Sequence, residues 1–339
     1  MGSFYKVDRI DGKNFGCIAS KDIEKGTLIL KEKPQCSAGE YVHGPTTFFG
    51  KKKSVWTSYI NMSPADKVGY NKLYNRFEKF DILKNHEKEM IMDWKVTLHQ
   101  RKIEEHLIDI MIKVFGIYIT NNFIQGVGIQ ASRFNHSCVS NAEEIWNEKD
   151  GTREIRTVTD IKIGNEITIN YAYPTISMKN FKTRQNYLLS AWNFQCNCEL
   201  CNCDQLYGDE KYEKFARIKV EVENLSRDKT FNLGRVKMEV FYYCEMHRLA
   251  ADAKSSHLFI LQTIIEPGFI AAYHGYVKIS KSNKMYETKL FKMYCETFST
   301  VGLNLSKLLF GSGRTIHKKW RKRKTYFDRL VEDENSLPL

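Results

Sequence analysis

Three short stretches carry residue types that could do chemistry together. The first is the polar loop Asn135-His136-Ser137-Cys138, and the second is Gly164-Asn165-Glu166-Ile167-Thr168-Ile169-Asn170-Tyr171, an alternating strand that runs to a tyrosine. The third, Cys196-Asn197-Cys198-Glu199-Leu200-Cys201, begins 25 residues after that tyrosine. Cys196, Cys198 and Cys201 supply three thiols within six residues, and zinc at structural sites takes four tetrahedral ligands with sulfur favoured. A fourth ligand is needed. Cys203 is near but would crowd a tight knuckle, whereas Cys138 would tie the polar loop to the cysteine-rich segment. The density and spacing favour a metal over incidental thiols.

The elements that must position these residues can be read from their periodicity. Phe15–Ala19 and Thr27–Lys31 read as strands around a Lys25-Gly26 turn, and Pro34 ends the second. At Ser63-Pro64-Ala65-Asp66 a serine cap, a proline at the first helical position and an acid in the first turn predict a helix start, so a helical insert begins near residue 63. Ile103, Leu107, Ile110, Met111 and Val114 recur at steps of three and four, which predicts one helical face packed on the strands. Short strands return at Glu154–Val158 and Glu166–Tyr171, punctuated by turns at Lys149-Asp150-Gly151 and Gly164. Beyond Asp209 strand signals fade, and Phe215, Ile218, Val222 and Leu225 open a helical region that continues to the end.

Composition bounds the class. A chain of 339 residues with 42% apolar and 13% aromatic residues can bury a sizeable core and reads as globular, not disordered. The N-terminus lacks the apolar core of a secretory signal, and the longest apolar run, Leu258–Ile265, is far shorter than the ~20 residues a membrane helix needs. An intracellular protein, in cytoplasm or nucleus and without a membrane span, is expected. Nine cysteines then read as thiols and metal ligands, with Cys17, Cys36, Cys244 and Cys295 as small buried apolar residues. The net charge of +12 is concentrated at Lys51–Lys53 and at Lys318-Lys319-Trp320-Arg321-Lys322-Arg323-Lys324. Such a field attracts phosphate, acidic protein surfaces or import factors, and Trp320 could stack a base.

Taken in order, these motifs resemble the SET-domain lysine methyltransferases, most of all the SET-and-MYND group and related fungal SET proteins. The resemblance covers residues 5–40 and 110–203. It is carried by Gly12-Lys13-Asn14-Phe15-Gly16, Thr120-Asn121-Asn122-Phe123, Ser132 to Cys138 with Asn141 after it, the strand to Tyr171, and Phe194 before the cysteines. It implies an α+β fold of short sheets interrupted by a helical insert. The implied division is an N-terminal SET part over 1–40, the insert over 41–115, the C-terminal SET part over 116–180, a post-SET zinc knuckle over 181–208, and an all-helical domain over 209–339. The MYND zinc module is missing, since residues 40–110 contain no cysteine.

The resemblance also implies site residues. S-adenosylmethionine would be bound by Lys13, Asn14, Phe15, Asn121, Asn135, His136, Tyr171 and Phe194, and zinc by Cys138, Cys196, Cys198 and Cys201, leaving Cys203 as the odd cysteine. Tyr171 would stand beside the reacting atoms and Tyr173 would shape a lysine channel, whose rim at Ala172 and Pro174 departs from the family's pattern. The implied reaction is methyl transfer to a lysine amine of a histone or non-histone protein. A lysine of reference pKa ~10.4 must first lose its proton, which a narrow low-dielectric channel favours. Two other readings keep the fold: an enzyme acting on a small molecule, and a non-catalytic chromatin scaffold whose basic C-terminal segment contacts histone or nucleic acid.

Overall fold

The computed structural model describes residues 3–37, 47–78, 83–172, 176, 178–208, 210–227, 230–280 and 284–335. The chain is α+β. Strands β1 (Tyr5–Ile10) and β2 (Asn14–Ala19) form a hairpin closed by Ile10 opposite Asn14, with positive φ at Gly12 and Asn14. The sequence pattern did not announce β1, because Lys6, Asp8 and Arg9 leave it mostly exposed at the sheet edge. Phe15, expected to open the first strand, is the second residue of β2.

The hairpin joins β7 (Glu166–Ile169) and the two-residue β4 (Asn135–His136) in a four-stranded sheet of order β1-β2-β7-β4. β4 runs parallel to β7, with Asn135 opposite Thr168 and His136 opposite Ile169. Tyr171 therefore stands two residues beyond its strand instead of ending it. A second sheet, β3-β6-β5, is built from β3 (Leu28–Glu32), β5 (Ala142–Asn147) and β6 (Thr152–Thr157). Cys17, Ile23, Ile29, Phe134, Ile155, Ile167 and Ile169 form the apolar core of this region.

The insert contains α1 (Thr47–Ile60), α2 (Pro64–Asn71), α3 (Asn85–Gln100) and α4 (Glu105–Asn121). Ser63 caps α2 as its sequence predicts, accepting a hydrogen bond from the Asp66 amide. However, α1 precedes that signal. Its start, Thr47-Phe48-Phe49-Gly50 and three lysines, has no helical period, and the helix packs through Val55 and Tyr59 with α4 in one core.

The predicted face of α4 is also corrected. Leu107 and Ile110 are exposed, while Ile108, Ile112 and every residue from Val114 to Tyr118 are buried. Five consecutive buried residues mean the second half of α4 is surrounded, so no single stripe defines its packing. Its partners are α1, α2 and α3 and the turn at Arg76–Glu78, more than the strands.

After the sheets come α5 (Phe181–Trp192), α6 (Glu199–Tyr207), α7 (Glu210–Arg227) and α8 (Leu233–Asp252). A π-helical turn (Ile260–Ile265) leads into α9 (Glu266–Ile279), followed by α10 (Met285–Phe310) and α11 (Thr315–Asn335). Each of α7 to α11 packs on its neighbour in sequence, around Phe215, Val240, Leu261, Phe291, Phe298 and Trp320. Trp320 is wholly buried, because Gly302 leaves room for its ring: a β-carbon there would lie 2.4 Å from Trp320 Cε3. This overturns the expectation that Trp320 stacks a base. Among the described residues no helix is long and apolar enough to cross a membrane.

Candidate active site

The sulfurs of Cys138, Cys196, Cys198 and Cys201 all lie within 4.8 Å of one another. Cys138 Sγ is 3.6 Å from Cys201 Sγ and 4.0 Å from Cys196 Sγ. A zinc–sulfur bond of about 2.3 Å in a tetrahedron sets sulfurs about 3.8 Å apart, so the cluster fits that ion. Cys203 is exposed and outside it. Both Cys201 and Cys203 lie on α6, where two residues turn the side chain by about 200°, so Cys203 must face away.

Local structure explains how the knuckle is held. Asn193 ends α5 in the left-handed conformation at φ 59, which reverses the chain. Gln185 of α5 then grips Cys196 twice, donating from Nε2 to its carbonyl at 2.6 Å and accepting its amide at 2.9 Å. Cys198 is the N-cap residue of α6, so the positive end of that helix faces the thiols. Arg184 lies 3.8 Å from Cys201 Sγ and pairs with Asp204 at 2.6 Å, both buried. Tyr212 donates to the same Asp204 oxygen at 2.6 Å. Hydrogen bonds from Cys138 favour the thiolate at Cys196 and Cys198, whose pKa at Cys198 is brought down to about 5.

From this cluster a chain of contacts leads to Tyr171. His136 Nε2 is 3.4 Å from Cys138 Sγ, and His136 Nδ1 accepts the Tyr171 backbone amide at 3.0 Å. Since Nδ1 accepts, the proton of a neutral ring is on Nε2, aimed at the sulfur. The Tyr171 hydroxyl donates to the Phe134 carbonyl at 2.6 Å. Burial, reinforced by Cys17 and Glu166, pushes the Tyr171 pKa well above the usual tyrosine range, so it is a phenol and not a base. Around it stand His136, Trp192 and Phe194 with ring centroids 5.4, 5.3 and 6.4 Å away. Aromatic faces grouped in this way suit a cation or a flat ring.

Lys13, in the turn between β1 and β2, and Asn135, on β4, meet at Glu166, the first residue of β7. Lys13 pairs with Glu166 at 2.7 Å, and Asn135 Nδ2 donates to Glu166 Oε1 at 2.9 Å and to the Phe15 carbonyl at 3.1 Å. Gly16 is required for this approach, since a β-carbon there would lie 2.5 Å from Asn135 Nδ2. Asn141 fastens β7 from the side, donating to the Glu166 carbonyl and accepting the Thr168 amide, both at 2.8 Å.

The remaining expected residues divide. Asn14 and Phe15 flank the same turn, with Phe15 exposed. Asn121 is at the end of α4 and donates its amide to the Tyr74 and Ile117 carbonyls, both at 2.7 Å, which holds that helix end. Tyr173 and Pro174 lie outside the described residues. Sequence reasoning missed Glu166, Gln185, Arg184 and Trp192, since a lone acid, amide, arginine or tryptophan has no spacing to mark it. Only the nearness of Trp192 to Phe194 in sequence offered a signal.

The model of the SET domain matches residues 14–172. A SET domain-containing protein of Acanthamoeba polyphaga mimivirus is 30% identical over 209 residues, 59% of this chain and 79% of the relative. Histone-lysine N-methyltransferase set5 of Schizosaccharomyces pombe is 32% identical over 81 residues, 24% of each chain. Protein-lysine N-trimethyltransferase SMYD5 of Mus musculus is 33% identical over 76 residues, 22% of this chain and 18% of the relative. The chain thus spans most of the viral relative but a quarter or less of the other two. The matched region runs from β2 through the Asn135–Cys138 loop and β7 to just past Tyr171, and the chain belongs to the SET-domain family.

Proposed function

We propose that this protein is an S-adenosylmethionine-dependent protein-lysine N-methyltransferase with a structural zinc centre. The observation that carries the reading is the parallel pairing of Asn135 and His136 with β7, which sets polar groups at one end of the site and an aromatic cluster around Tyr171 at the other. Two of the relatives are named as lysine methyltransferases. The donor, when bound, supplies a methyl group on a sulfonium for in-line transfer to an amine.

In this reading Lys13 and Asn135 hold the amino-acid end of the donor, and Phe194 with His136 flanks its adenine. Asn14, Phe15 and Asn121 frame the pocket from the hairpin and the end of α4. Tyr171, kept protonated by burial, orients the reacting groups through its phenol and stabilises positive charge through its ring. Tyr173 lines the lysine channel. Cys138, Cys196, Cys198 and Cys201 hold zinc, which fixes His136 and so the backbone at Tyr171.

The division into a SET part over 1–40 and 116–180, an insert over 41–115, a zinc segment over 181–208 and a helical domain over 209–339 belongs to the same proposal. So does location in cytoplasm or nucleus. Lys318, Arg321 and Lys322 are exposed on α11, and we assign them to contact with a histone or with nucleic acid.

The test is calorimetric binding of S-adenosylmethionine to the zinc-loaded protein and to Asn135→Ala, followed by labelled methyl transfer to a panel of intact proteins. Micromolar binding abolished in the variant, with label on lysine, is expected. A folded, zinc-loaded wild type that binds no donor would refute the assignment.

A further inference from the structure

Glu166 stands between the two polar side chains assigned to the amino-acid end of the donor. Its Oε2 pairs with Lys13 at 2.7 Å and its Oε1 accepts Asn135 Nδ2 at 2.9 Å. The same Asn135 nitrogen also donates to the Phe15 carbonyl at 3.1 Å. Both hydrogens of the Asn135 amide are therefore committed. Because both partners can only accept, the assignment of nitrogen and oxygen follows from the network. Asn135 Oδ1 has no hydrogen-bond partner among the described residues, so the side chain presents an acceptor and no donor. Lys13 is the complement: its ammonium has three hydrogens, and the ion pair with Glu166 leaves others for an anion.

The carboxylate is itself well placed to impose this. Its side chain is only 19% exposed, and Asn141 holds the backbone of Glu166 from the opposite side at 2.8 Å. Gly16 closes the third side, since a β-carbon there would come within 3.1 Å of Glu166 Oε1. An amino-acid zwitterion needs an acceptor for its ammonium and a donor for its carboxylate, a short distance apart. Asn135 Oδ1 and Lys13 Nζ are that pair, and among the described residues Glu166 is the group whose side chain touches both.

We propose that Glu166 is a positioning residue that makes the site selective for a nucleoside carrying a zwitterionic amino-acid tail. It locks Asn135 as a hydrogen-bond acceptor for the ammonium and sets Lys13 to receive the carboxylate. This rests on the methyl-donor reading above.

The experiment uses two probes on the full, zinc-loaded chain: S-adenosylhomocysteine, which has the tail, and 5′-methylthioadenosine, which lacks it. Calorimetry is run on wild type, Glu166→Ala and Glu166→Gln, with zinc content and unfolding midpoint measured on each. Glu166→Ala should weaken S-adenosylhomocysteine roughly tenfold to hundredfold, the range for a lost charge-assisted hydrogen bond. Binding of 5′-methylthioadenosine should stay within twofold of wild type. Glu166→Gln keeps an acceptor for Asn135 but not the charge for Lys13, and should fall between; it carries the comparison if the alanine variant is less folded. Equal weakening of both probes would mean a merely structural role and would overturn the proposal, as would no change in either. If the wild type binds neither probe, the methyl-donor reading itself fails and the role of Glu166 falls with it.

Discussion

Replacing Cys138 with serine tests whether the zinc centre spans the molecule or is local to the knuckle. Cys138 is buried, belongs to the loop after β4, and lies 58 residues before Cys196 in sequence, yet its sulfur completes a set with edges of 3.6 and 4.0 Å. A structural four-ligand zinc site contributes about 10–16 kcal/mol, so the share of one ligand is roughly 2.5–4 kcal/mol. Serine stays a neutral alcohol near pH 7 and recovers little of it. Zinc affinity should therefore fall between about a hundredfold and a thousandfold. The assay is competition with a chromophoric chelator, with Cys203→Ser as control. Cys203, exposed and on the far side of α6, should bind zinc no differently from wild type when replaced. Hydrogen exchange adds a second readout. Because His136 bridges Cys138 and the Tyr171 amide, that amide should lose protection in Cys138→Ser but not in Cys203→Ser. Wild-type zinc affinity in Cys138→Ser, or an equal loss in Cys203→Ser, would refute the four-sulfur assignment.

Asp204→Ala should destabilise by about 3–5 kcal/mol, because Arg184 would remain buried without its carboxylate; urea unfolding measures it, and a change below about 1 kcal/mol would mean water replaces the partner. Gly302→Ala should cost about 1–3 kcal/mol by overpacking Trp320, again by urea unfolding, and a neutral result would show that the α10–α11 contact yields easily. The pH dependence follows from Tyr171, whose pKa is raised in the folded chain by burial. From about pH 10, the usual tyrosine value, up to that raised value, the unfolded chain has released a proton the folded chain keeps. Stability accordingly falls as pH rises through this window. Tyr171→Phe should make the decline shallower by up to about 1.4 kcal/mol per pH unit, and an unchanged slope would show that the phenol ionises freely.

Legibility in the sequence depended on whether a residue's role leaves a local trace. Ser63-Pro64 marks the start of α2 because capping is a relation between adjacent residues. The cysteine knuckle is visible for the same reason, and Cys138 could be connected to it only through resemblance. β1 was silent because an edge strand with charged residues lacks alternation. The face of α4 was misread because its second half is surrounded, and surroundings are not written in a helix's own period. Trp320 misled for a related reason: among seven residues, six of them basic, it looks like a surface aromatic, whereas Gly302 and Phe269, far away in sequence, enclose it. Glu166 had no signal at all. Its importance comes from Lys13 and Asn135, 153 and 31 residues away.

The segment from Asn135 to Cys138 is paired to β7 at one end and anchored in the sulfur cluster at the other, with the His136 ring touching both Cys138 and Tyr171. β4 has only two residues, so its backbone pairing alone is too short to define the position of the loop. The Asn135 contacts to Glu166 and Phe15 hold the near end, and the cluster supplies the anchor at the far end. Loss of a sulfur ligand should thus be felt at Asn135 as well as at Tyr171, because the same four residues carry both contacts. A fold that places its polar and aromatic site groups on one such segment needs the far anchor for order at the site, over and above any contribution to total stability.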